Sequence, residues 1–147
     1  MDKAEWDALD TEHREVTVAQ TVMGFVVCDR EKAVQLSNEN KPTDPRLLAT
    51  WSPWDNFYTE GFYVVENPPS CSGLARVENY TTDRNACALV LNEIKGREVL
   101  TNKMFVQHLL SFQVGTRSPW STVSILLSDP DTVCYCAVKV VADVTEV

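Results

Sequence analysis

A chain of 147 residues that is 44% apolar suits a single domain, able to bury roughly two thirds of its unfolded surface without disulfides. Its 13 Lys and Arg residues against 21 Asp and Glu set a net charge of -8, which excludes a broad basic face for nucleic acid or anionic membrane. The carboxylates are scattered rather than gathered in blocks, so ordinary solubility explains them better than mimicry of DNA.

Five cysteines, Cys28, Cys71, Cys87, Cys134 and Cys136, form an odd set without CxxC spacing. The first residues lack the basic and apolar pattern of a signal peptide. A cytoplasmic protein with reduced thiols is the expectation. No apolar run approaches the roughly 20 residues needed to cross a bilayer.

In chain order, AEWDALDTEHREVTVAQTVMG reads as one helix closed by Gly24, a residue suited to the left-handed conformation because it has no Cβ. Val22 and Met23 are expected to face inward, with Phe25 folding back as the apolar contact after the cap. The following segment, 26–79, is irregular and rich in proline and aromatic residues. Short strands fit at FVV (25–27), AVQL (33–36) and GFYVVE (61–66).

NYTTDRNACALVLNEIKG is the clearest helix, with Thr81 or Thr82 as cap, Asp83 near the positive end of the dipole and Gly96 as stop. Cys87, Val90, Leu91 and Ile94 share its apolar face. KMFVQHLLSFQV (103–114) and STVSILLS (121–128), separated by GTRSPW, read as two strands joined by a turn, although the first half of the former also fits a short helix. On that strand Met104, Val106, Leu110, Phe112 and Val114 share a face. A last helix starts at Ser128 or Asp129, has Pro130 in its first turn and runs to about Ala142, with Cys134, Ala137, Val138 and Val141 inward. The expected fold class is α+β, a small antiparallel sheet sandwiched by about three helices in α/β/α layers.

Three stretches in order, VAQTVMGF, YTTDRNACALVLNEI and DTVCYCAVKVV, resemble the phage ABA-sandwich domain family. Members of that family pair a VA-x-x-VMGW helix, a Tyr-Ser-Thr-Asp helix start and a C-terminal Asp-Thr…Ala-Ile-Cys-Arg-Ala-Ala-Leu helix. The direct match covers about a third of the chain. Phe25 stands for the family's Trp, Thr81 for Ser, Tyr135 for Arg and Val138 for Leu. The resemblance implies a phage or prophage origin and helix–sheet–helix layering, and implies no activity.

Chemistry-bearing residues are few. His13 and His108 are the only histidines and belong to no nucleophile, base or orienter motif, so no catalytic residues are assigned and the chain is read as non-enzymatic. Cys134 and Cys136 point about 200° apart on a helix, which does not suit a tetrahedral metal. Phosphate-binding glycine motifs are lacking, and no cofactor is expected.

The most suggestive cluster is Trp51, Trp54 and Tyr58 between Arg46 and Arg76, where aromatic faces suit a base and arginines suit phosphate. Trp51, Trp54, Phe57 and Tyr63 also suit a satellite core beneath a long loop. Two binding functions follow for a phage accessory protein. One is sequestration of a small anionic nucleotide signal made by a bacterial defence system; the other is masking of a defence or host protein. A sequestering protein should show a concave aromatic and arginine pocket, often at a subunit interface, which makes a homo-oligomer an expectation. A masking protein should show a flat or protruding apolar patch instead.

Overall fold

A computed structural model describes residues 1–39, 41–50, 58–65, 74–112 and 129–145. They form two compact units, one from Met1–Gly24 with Glu78–Val147 and one from Phe25–Val77. The chain is α+β, with seven helices and a two-stranded antiparallel sheet among the described residues.

The first unit begins with α1 (Lys3–Ala8) and α2 (Thr11–Thr21) where one long helix was expected. The break has a local cause. Asp10 takes an extended conformation and its carboxylate accepts from the His13 amide at 2.8 Å, starting a new helix. Asp2 and Glu5 close a reciprocal capping box on α1, each amide donating to the other's carboxylate at 2.8 Å.

Helix α5 (Arg84–Lys95) follows its expected course, with Ala86, Cys87, Val90 and Ile94 buried and Leu91 half-buried. Its cap is Asp83, accepting from the Asn85 amide at 2.8 Å, rather than Thr81 or Thr82. Thr81 is buried instead and turns toward Glu15.

Helix α6 (Val99–Ser111) corrects the expected strand at 103–114. Thr101, Phe105 and Leu109 are buried on one helical face while Lys103 and Gln107, which a strand would place on the same face, are exposed. The expected turn and second strand, 115–128, lie outside the described residues.

Helix α7 (Pro130–Thr145) runs past its expected end and is buried nearly all round. Val133, Cys134, Tyr135, Cys136, Ala137, Val138, Val140 and Val141 are all buried, and α2, α5 and α6 pack against it. Its first turn is tied down by Asp131. That carboxylate accepts from Trp6 Nε1 and Arg14 Nη1, both at 3.2 Å, and Arg14 also donates to the Trp6 and Asp7 carbonyls. Trp6 is wholly buried against Tyr135, ring centroids 5.9 Å apart.

In the second unit β1 (Val26–Asp29) pairs with β2 (Phe62–Val65), Val26 opposite Val65 and Asp29 opposite Phe62. The far side of β2 is met by residues 75–77, with Val64 N donating to Ala75 O at 2.8 Å and Val77 N to Phe62 O at 3.1 Å. The expected strand at 33–36 is instead part of α3 (Arg30–Glu39), because the Asp29 carboxylate accepts from the Lys32 amide and starts a helix straight off β1. Ala33 and Ser37, one turn apart, are buried on its inner side, and α3 packs on both strands. A short α4 (Pro45–Leu48) follows, capped by Asp44. The expectation of about three helices is therefore too low: one divides in two, and two expected strands are helical.

Gly24 has φ 71°, the left-handed conformation expected of it. Phe25, expected to fold back on the cap, is instead 40% exposed. A Cβ at Gly24 would meet nothing within 4 Å, so the backbone alone sets the cost of substitution. Gly24→Val should lower stability by about 1–2 kcal/mol, and Gly24→Asn, which tolerates this conformation, by much less. Thermal unfolding of the two variants checks this, and equal melting temperatures for wild type and Gly24→Val would remove the role assigned to the glycine.

Candidate functional site

Of the residues singled out for ligand binding, Arg46, Tyr58 and Arg76 are among the described residues. Trp51 and Trp54 lie outside the described residues. Arg46 is exposed in the single turn of α4, just after its Asp44 cap, and its amide donates to the Asp44 carboxylate at 2.9 Å.

Tyr58 is 3% exposed and belongs to the core of the second unit with Ala33, Tyr63 and Leu74. Its ring stands edge-on to Tyr63 at 4.8 Å. Its hydroxyl lies 2.5 Å from Ser37 Oγ and accepts from the Leu74 amide at 2.7 Å. A phenol so enclosed has no face left for a base.

Arg76 clamps the turn that leads into β2. It donates to Thr59 Oγ1 at 2.6 Å and to the Glu60 carbonyl at 2.7 Å, with its guanidinium over the Tyr63 ring. Gly61, at φ 145°, leaves the room: a Cβ there would stand 2.3 Å from Arg76 Nη2. Tyr58 and Arg76 thus hold the second unit together.

The first unit carries a different candidate, an open groove of about 570 Å³ lined by Lys95 at the end of α5 and by Val99, Asn102, Lys103, Val106 and Gln107 of α6. The α6 residues sit at i, i+3, i+4, i+7 and i+8, one stripe of a helix. Burial of Thr101, Phe105 and Leu109 turns that stripe outward. Beside it the first turn of α6 protrudes, with Val99 71% and Leu100 64% exposed. Asn102 is held by its own helix end, its amide donating to the Arg97 and Glu98 carbonyls. Among the described lining residues there is no aromatic ring and no arginine. Sequence reasoning missed this face because it read 103–114 as a strand. The signal was present in Lys103 and Gln107, polar residues that would interrupt the strand face carrying Thr101, Phe105 and Leu109.

A buried polar cluster lies where α2, α5, α7 and the 80–82 turn meet. Glu15 is buried, with a long hydrogen bond from Thr81 Oγ1 at 3.4 Å. Burial pushes its carboxyl from an ordinary 4.5 up to about 7, with the Thr81 bond opposing and Glu12 adding a little. Tyr80, also buried, is pushed up to about 12, chiefly by burial. Cys134 Sγ donates to the Tyr80 carbonyl at 3.3 Å, and its bonding with Cys87 together with burial keeps it a neutral thiol. These groups serve as enclosed packing rather than as an open reactive centre.

His13 is exposed, its Nδ1 2.6 Å from Asp10, and His108 is half-buried on α6. Among the described residues no three His, Cys, Asp or Glu side chains converge as a metal site, and no helix is long and apolar enough to cross a membrane. Compared with protein-family models, curated proteins and solved structures, the chain matches none.

Glu15 gives a signed pH dependence. A carboxyl whose folded value lies above its unfolded one contributes full stability below about 4.5, and the contribution is lost as pH rises through about 7. Between these limits wild type should lose up to about 1.4 kcal/mol per pH unit from this group. Glu15→Gln should flatten that slope. Denaturant unfolding at several pH values from 5 to 8 measures it, and parallel profiles for the two proteins would contradict the assignment.

Proposed function

We propose that this chain is a non-enzymatic phage accessory protein that acts in the cytoplasm of an infected bacterium by binding and masking a defence or host protein. The observation that supports this reading over nucleotide sequestration is the protruding apolar turn of α6, Val99 and Leu100, beside an open groove. Solvent-exposed apolar side chains grouped next to a groove fit a protein partner. A nucleotide calls for stacking rings and free guanidinium groups, whereas Tyr58 and Arg76 are committed to their own unit. The phage origin rests on the three stretches VAQTVMGF, YTTDRNACALVLNEI and DTVCYCAVKVV.

Site-specific crosslinking in bacteria tests the reading. With p-benzoylphenylalanine in place of Val99, illumination should yield a discrete protein adduct, and the same probe in place of exposed Glu12 on α2 should not. Equal adducts from both positions, or none from position 99, would overturn it. So would native mass spectrometry showing a nucleotide that co-purifies and is released intact on heating.

A further inference from the structure

Resting on the protein-binding reading, we propose that the α5–α6 groove receives an acidic amphipathic helix from the partner. The stripe from Val99 to Gln107 rises about 12 Å along α6, the length of roughly two turns of a docked helix. Val99 and Val106 supply apolar contact along it, and exposed Leu100 extends that contact at one end.

The charge along this apolar strip is positive and comes from two lysines. Lys95 and Lys103 are exposed in the lining, and neither makes an ion pair among the described residues. Of the nearby carboxylates, Glu93 is engaged by Arg97 at 3.6 Å and Glu98 is outside the groove lining.

A local cationic rim on a chain of net charge -8 selects among partners. A helix with glutamates or aspartates flanking an apolar face would pair both lysines while covering the valines. A basic helix would set like charges against them, and a wholly apolar one would strip their water without return.

Fluorescence anisotropy with the full chain tests this, using a labelled synthetic helix of about four turns that carries leucines on one face and glutamates elsewhere. The matched probe has lysine at every glutamate position. The glutamate peptide should bind and the lysine peptide should not. Lys95→Glu and Lys103→Glu should each weaken binding by roughly five-fold, and the double variant should reverse the preference.

Equal binding of both peptides, binding of neither, or an unchanged affinity in a folded double variant would overturn the proposal. If the Val99 adduct persists without any charge preference, the docking surface stands and the acidic partner class falls. If the adduct is also lost, both fall. A dimer in sedimentation that Lys103→Glu dissociates would give the groove to a second copy of the chain and likewise overturn the proposal.

Discussion

The first unit depends on the burial of α7. A helix that is apolar on most of its circumference cannot rest on a surface and has to be enclosed. Val133 through Val138, with Val140 and Val141, are buried, and α2, α5 and α6 each lay an inner face against it. Burying a Val-sized side chain contributes about 1.5–3 kcal/mol. Enclosure alone does not set direction along the helix axis. Asp131 does, since one carboxylate oxygen joins the Trp6 indole and the Arg14 guanidinium to the first turn of α7. Removing Asp131 would therefore affect α1 and α2 as well as α7.

The outward face of α6 follows from the same constraint. Phe105 and Leu109 turn toward α7, and residues on the opposite side of α6 are turned away from that core. Val99, Lys103 and Val106 are exposed or half-buried as a consequence, and the proposed docking surface is the reverse side of a core contact. The second unit uses its polar groups differently. There Tyr63 and Arg76 hydrogen-bond Thr59 and Glu60, Tyr58 bonds Ser37 and the Leu74 amide, and the three side chains stack on one another, so an aromatic and arginine pairing that suits ligand binding becomes an internal brace.

How far the fold was legible depended on local contest. The helix at 84–95 was legible because periodicity and an acidic start agreed, and the helix at 130–145 because a proline in its first turn joined them. Gly24 was legible as a left-handed residue because only glycine is unstrained there. The division of α1 from α2 was not, since Asp10 fits a helical surface as well as a cap and only its bond to the His13 amide decides. Residues 33–36 carry strand-like composition, but the Asp29 cap and packing of Ala33 on the sheet overrule it. In the candidate site, residue type was misleading. Tyr58 has the chemistry of a ligand contact, and its burial depends on Ser37 and Leu74, distant in sequence. The α6 groove was hidden by one error of period: a strand reading groups Met104, Val106, Leu110 and Phe112 on one face, whereas the helix buries Thr101, Phe105 and Leu109.

Native-state hydrogen exchange across a denaturant series tests the dependence on α7 most directly. Amides of α7 should exchange only through global unfolding of the first unit, and α6 should open no earlier than α7 does. Exchange of α7 through small local openings while α2, α5 and α6 stay protected would contradict the account, because the outward stripe of α6 would then be held by something other than that helix.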